Sequence, residues 1–175
     1  MQNEHLNLKL AIRDIPDFPK KGIIFKDITT LIGQGKLFQE AVSTLVDQYK
    51  NKGITKVIAI ESRGFIFGAA VAYGLKAGFV PIRKKGKLPY KTVSGSYQLE
   101  YGIDTIEMHE DAVNKGEKVL LVDDLLATGG TMKAAADLVR NSGAIIEGIA
   151  FIIELSFLKG MEKLQGYNVY SLIHF

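Results

Sequence analysis

Short apolar runs without polar alternation recur along the chain, each set against polar loops and segments whose apolar residues fall at helical spacing. Val57–Ile60, Val80–Ile82, Val119–Val122, Ala144–Ile153 and Val169–Ile173 predict strands, with Val119–Val122 a central parallel strand buried on both faces and Val169–Ile173 at an edge. Leu37, Ala41, Leu45 and Tyr49 mark an amphipathic helix that ends near Gly53. Phe65–Leu75 predicts a strongly apolar helix, and Met132, Ala136 and Val139 predict another that Ser142-Gly143 stops. Near the start, Leu6, Leu8, Leu10 and Ile12 alternate, but their neighbours also suit a short helix, which we prefer, before Pro16 and Pro19 break the pattern. Residues 18–31 read as a turn with an apolar insert, and residues 91–102 as a β-ribbon able to close over a site. Strands alternating with helices predict an α/β fold, a mainly parallel sheet with helices on both sides, and ligands at the carboxyl ends of its strands.

Two loops at such ends carry candidate chemistry. In Lys118–Thr131, KVLLVDDLLATGGT, the strand is ended by Asp123 and Asp124, and a loop from Leu125 to Gly130 leads into the helix. Backbone N–H groups at a helix N-terminus, aided by the helix dipole, make a phosphate cradle. Thr131 stands where a Walker loop would carry Lys, and no G-x-G-x-x-G occurs, so neither of those nucleotide motifs is present. Carboxylates beside a phosphate repel it, so the acidic pair should face another part of the ligand, and vicinal ribose hydroxyls are suitable donors. A single strand-end Asp could merely cap the next helix; a pair followed by A-T-G-G-T asks for more. The second loop, Glu61-Ser62-Arg63-Gly64, repeats the strand, loop and helix order. On residue type alone Arg63 could equally be a surface residue.

The VDDLLATGGT string resembles the phosphoribosyl pyrophosphate signature of the type I phosphoribosyltransferase family, in particular of its adenine-using members. The resemblance assigns Asp123 and Asp124 to the ribose hydroxyls, Ala127, Thr128, Gly129, Gly130 and Thr131 to the 5-phosphate, and Leu125 to the purine. GIIFKDI resembles the family's base-covering segment, which implies main-chain reading of the purine at Ile24 and Lys26, with Phe25 stacked on the ring; Lys26 stands where Arg is common. ESRGF resembles its pyrophosphate loop, implying Arg63 as the matching residue and a cis peptide near Glu61-Ser62. RKKGKLP resembles its basic loop, with Arg83, Lys84 and Lys87 on the pyrophosphate side. SYQLEYG resembles its mobile hood, with Glu100 and Tyr101 at the site; by residue type alone Glu100 could be a surface charge on the ribbon. The implied reaction is adenine plus 5-phosphoribosyl 1-pyrophosphate giving AMP and pyrophosphate, in a single domain over residues 1–175 with a base-covering segment 1–35 and a hood 83–106. Mg²⁺ is implied as cofactor, held mainly by substrate oxygens and water rather than by protein ligands, and a homodimer is the implied assembly. The same fold acting on hypoxanthine, guanine, xanthine or orotate, a regulator that keeps the cradle but binds nucleic acid, and an inactive scaffold are the competing readings.

Composition narrows these. At 175 residues the chain suffices for one full core, and 47% hydrophobic with 23% charged content is that of a globular protein. With no cysteine, disulfides and thiolate metal sites are excluded, and His5, His109 and His174 are too scattered to suggest a metal cluster. A net charge of +3 suits a small anionic ligand better than a nucleic-acid face. The N-terminus lacks the basic start and apolar core of a signal peptide, and no apolar stretch is long enough to span a membrane, so a cytoplasmic location is expected.

Overall fold

The computed structural model describes residues 6–99 and 102–175. A helix α1 (Leu6–Leu10) opens the described chain, followed by a small antiparallel hairpin of β1 (Arg13–Pro16) and β2 (Ile24–Asp27). The hairpin is a correction to the reading of residues 18–31 as a turn with an insert: four-residue strands broken by Pro16 and Pro19 are too short to show a period. Asp27 locks its base. It accepts from Arg13 Nε at 3.1 Å and from the Thr29 N–H at 2.9 Å, and these two donors, the N–H foremost, hold its carboxyl down at about 2.

The body of the molecule is a seven-stranded sheet. In chain order its elements are α2 (Thr29–Ile32), α3 (Gly35–Tyr49), β3 (Lys56–Ile60), α4 (Arg63–Leu75), β4 (Gly78–Lys84), β5 (Thr92–Leu99), β6 (Gly102–His109), β7 (Lys118–Leu126), α5 (Gly130–Asn141), β8 (Ile145–Glu154) and β9 (Val169–His174), with two short 3₁₀ turns before β9. The strand order is β5-β6-β4-β3-β7-β8-β9. From β4 to β9 neighbouring strands are parallel, whereas the β5–β6 ribbon pairs antiparallel and joins the edge of β4 at Arg83↔Glu107 and Lys84↔Ile106. The mainly parallel α/β fold is thus as the sequence pattern predicts, with β9 at one edge.

Alternation along the central strands builds two cores. Val57, Ala59, Leu120 and Val122 face α3 and α4, where Phe67, Leu45 and Tyr49 are fully buried. Ile58, Ile60, Val119 and Leu121 face α5, packing with Met132, Val139 and Phe151. Helix α4 lies close on the sheet because Gly68 has no Cβ: one would stand 2.5 Å from the Ala59 Cβ. The β5 strand leans on α5 through Gly95, whose added Cβ would meet the Ala134 carbonyl at 3.3 Å. Among the described residues no helix is long and apolar enough to cross a membrane.

One boundary differs from expectation. β7 does not stop at the acidic pair but runs on to Leu126, pairing Leu125 with Ile153 and Leu126 with Glu154 of β8. The carboxylates therefore sit on a strand braced by its neighbour, and only Ala127–Gly129 remain as loop before α5. Because β3 and β7 are adjacent and parallel, the loops that follow them open at the same end of the sheet.

Candidate active site

A cavity of about 480 Å³ lies at this end. The β3–α4 loop gives it Glu61 and Ser62, the first residue of α4 gives Arg63, β4 gives Lys84, β7 gives Asp123, Asp124 and Leu125, and α5 gives Thr131, with Tyr97 and Ile106 of the ribbon closing one side. A smaller recess of about 80 Å³ adjoins it, lined by Ala127–Thr131 with Asp123 and Phe151. The acidic pair and the glycine loop are thus neighbours in space as in sequence, and the loop after β3, some sixty residues earlier, faces them.

The two carboxylates are held differently. Asp124, only 6% exposed, meets Arg63 Nε at 2.8 Å, on the α4 side to which strand alternation sends it with Leu120 and Val122. Asp123 accepts the Asp124 N–H at 2.9 Å through Oδ1 and presses against α4 where Gly64 stands. A Cβ on Gly64 would come within 2.7 Å of that oxygen, so the glycine admits the carboxylate. Burial and the charge of Asp124 push the Asp123 carboxyl well above its ordinary range. Burial also raises Asp124, and Arg63 draws it part of the way back. Such a pair is poised for ligand hydroxyls, whose donated hydrogen bonds favour the ionised form.

The recess is shaped by backbone. Gly129, the residue before α5, has φ +76°, a left-handed conformation that glycine accepts without strain, and a Cβ there would strike the Gly160 carbonyl at 2.4 Å. Gly160 returns the contact, since its own Cβ would lie 2.3 Å from the Ala127 carbonyl and 2.9 Å from Leu126 Cδ1. The 3₁₀ turn of Gly160–Leu164 is therefore a floor under the loop. Gly160→Ala is expected to cost about 1–3 kcal/mol by overpacking, a fall in Tm of about 3–10 °C for a chain of this size, and about tenfold in affinity for any ligand whose phosphate uses the loop. Calorimetric melting and ligand titration check both, and an unchanged affinity would separate Gly160 from the loop's shape.

The remaining sequence candidates divide. The Glu61–Ser62 peptide is cis, as the resemblance implies. Arg83 does not line the cavity. Its Nε donates to Glu61 Oε2 at 3.0 Å and its Nη1 to the Lys87 carbonyl at 3.2 Å, while Lys84, the next residue on the strand, turns the other way into the cavity. Burial alone would raise the Glu61 carboxyl, but the Lys84 N–H at 2.5 Å and Arg83 outweigh it and hold it below its usual range. Lys87 is likewise away from the cavity lining. Ile24, Phe25 and Lys26 stand on β2, outside that lining, but Phe25 is joined to it by the Arg63 guanidinium, 5.1 Å from its ring centre, and has Phe18 edge-on at 5.2 Å. Lys26 instead pairs with Asp14 at 2.7 Å and lies 3.9 Å from the centre of the Phe175 ring. Glu100 and Tyr101 lie outside the described residues. The sequence pattern assigns no role to Tyr97, Gly64 or Gly160; only Gly64 left a trace, as the glycine inside the ESRGF string.

A parallel sheet with a carboxylate pair and a glycine loop at the end of its central strand defines a class. The family model described as a phosphoribosyl transferase domain matches residues 29–164, and the chain belongs to that family. Within it, the chain belongs with the adenine phosphoribosyltransferases. The enzyme of that name from Solidesulfovibrio magneticus is 56% identical over 168 residues, covering 96% of this chain and 98% of that one. Among solved structures, adenine phosphoribosyltransferase from Thermoanaerobacter pseudethanolicus is 51% identical with a TM-score of 0.94, over 97% of this chain and 99% of that one. The Saccharomyces cerevisiae enzyme, solved with an imino-altritol bisphosphate and adenine, is 38% identical with a TM-score of 0.91, over 98% and 99% of the two chains.

Proposed function

We infer that the chain makes AMP and pyrophosphate from adenine and 5-phosphoribosyl 1-pyrophosphate, a purine-salvage reaction. The observation that carries this reading is the joining of Asp123, Asp124, Arg63 and the Ala127–Thr131 loop in one continuous site. A relative from Trypanosoma brucei, 26% identical, has been solved with AMP, pyrophosphate and ribose-5-phosphate, which are two products and a fragment of the donor.

The chemistry follows from the placement of charge. The bond from ribose C1 to the pyrophosphate oxygen breaks and the bond from C1 to adenine N9 forms, with positive charge developing on the ribose ring and negative charge on the leaving group. The loop holds the 5-phosphate on backbone N–H groups at the start of α5. Asp123 and Asp124 accept from the ribose 2- and 3-hydroxyls, which fixes C1 toward Arg63 and Lys84; these cations stabilise the departing pyrophosphate. Leu125 gives the base an apolar wall, and Phe25, steadied by Arg63, covers it. The proton on adenine N9 passes to Glu100 once the ribbon closes.

Mg²⁺ fits the donor set. Among the described residues no group of three or more His, Asp or Glu side chains could hold an ion, while two hard carboxylates face the place where ribose hydroxyls would lie. Asp123 and Asp124 would accept hydrogen bonds from hydroxyls and waters around an ion carried in on the substrate, and the bound ion would neutralise pyrophosphate charge. We further place the chain in the cytoplasm as a homodimer in which the basic loop reaches the partner's site; Arg83 and Lys87 standing off their own chain's cavity support that arrangement. A modest +3 net charge gives no reason to invoke nucleic acid.

A chromatographic assay with phosphoribosyl pyrophosphate and, in turn, adenine, hypoxanthine, guanine, xanthine and orotate tests the reading. Magnesium-dependent AMP with the other bases inert is expected. Turnover of another base in preference would overturn the adenine assignment, and tight donor binding without any turnover would point to a sensor.

A further inference from the structure

Asp104 lies behind the cavity and ties together two groups that line it. Lys84 Nζ stands 3.1 Å from Asp104 Oδ2, and the Tyr97 hydroxyl, opposite it in the β5–β6 register, donates to the same oxygen at 3.2 Å. The Thr105 N–H donates to the other oxygen at 2.9 Å. Burial would raise the Asp104 carboxyl, but Lys84, the Thr105 N–H and Tyr97 outweigh it, so it stays ionised. The two partners differ in freedom. The Lys84 side chain is 63% exposed and that of Asp104 only 23%, so the carboxylate is fixed and the ammonium can leave it.

We propose that Asp104 competes with pyrophosphate for Lys84. It holds the ammonium while the leaving-group end of the cavity is empty, gives it up to the incoming anion, and takes it back as pyrophosphate departs. An ion pair this exposed is weak, so a multiply charged anion displaces it at a cost of only a few-fold in affinity. The result is a site that stabilises the leaving group yet binds free pyrophosphate less tightly than its cations alone would. This rests on the reading that Lys84 serves the pyrophosphate end.

The test is a calorimetric titration of the full chain with inorganic pyrophosphate for wild type, Asp104→Asn, Lys84→Gln and the double variant. Asp104→Asn is expected to tighten binding about three- to fivefold, the opposite of what damage to a structural contact would do. Lys84→Gln is expected to weaken binding, and Asp104→Asn to add nothing in that background. Unchanged or weaker binding in Asp104→Asn, with the Lys84→Gln loss present, overturns the competition and leaves Lys84 in place. Equal tightening in both backgrounds overturns it too, since a general field effect would then suffice. Unchanged binding in Lys84→Gln overturns both the assignment of Lys84 and the competition built on it.

Discussion

Replacing Asp123 and Asp124 together with Asn is expected to weaken binding of phosphoribosyl pyrophosphate at least about 100-fold, from the loss of two hydrogen bonds to charged acceptors, without lowering Tm at neutral pH. The two halves of this expectation share one cause. Burial and the neighbouring charge raise the folded-state carboxyl of Asp123 above its unfolded value. The ionised form is therefore a burden on the fold, absent below the unfolded value and growing as pH rises through the folded one. Asn removes that burden and keeps the shape. The Asp124 partner, Arg63, retains solvent at 37% side-chain exposure when its ion pair is lost. The Tm of the double variant should equal or exceed that of wild type at pH 7, with the gap closing in acid. For wild type, donor affinity should rise with pH across the range in which Asp123 ionises, because ribose hydroxyls donate to the carboxylate and not to the acid. Titration in buffers of different ionisation enthalpy would register proton release on binding. Unchanged donor affinity in the double variant would remove the ribose from this pair.

For Glu100→Gln the expected loss is about 10²–10⁴-fold in kcat, the usual worth of a positioned general base, with the KM for the donor little changed. The amide keeps the size of the side chain and cannot take the N9 proton, and the contacts proposed for the donor are at Arg63, Asp123, Asp124 and the loop before α5. Pre-steady-state mixing must first show that chemistry limits turnover. A full kcat under that condition would assign the proton to another acceptor, and a loss confined to KM would make Glu100 a binding group.

The sheet and its acidic pair were legible because buried parallel strands read as unbroken apolar runs and because Asp123-Asp124 interrupts one of them. What escaped was set by distant contacts. The β1–β2 hairpin is held by Arg13 and Asp27, fourteen positions apart, rather than by a local period. β7 continues past its carboxylates because β8 pairs with Leu125 and Leu126, which no window centred on the motif contains. Gly160 supports the loop from thirty-one residues beyond Gly129, and nothing in its own surroundings marks it. Arg83 and Lys84 looked equivalent in a basic cluster, yet adjacent positions on a strand point to opposite faces, so one turns to Glu61 and the other to the cavity.

The most direct test of the central claim is an experimental structure of the chain with AMP. The 5-phosphate is expected on the backbone of Ala127–Thr131, the 2- and 3-hydroxyls on Asp123 and Asp124, and the purine against Leu125 beneath Phe25. A phosphate bound instead beside Arg63 and Lys84, with the ribose turned away from the acidic pair, would contradict the claim.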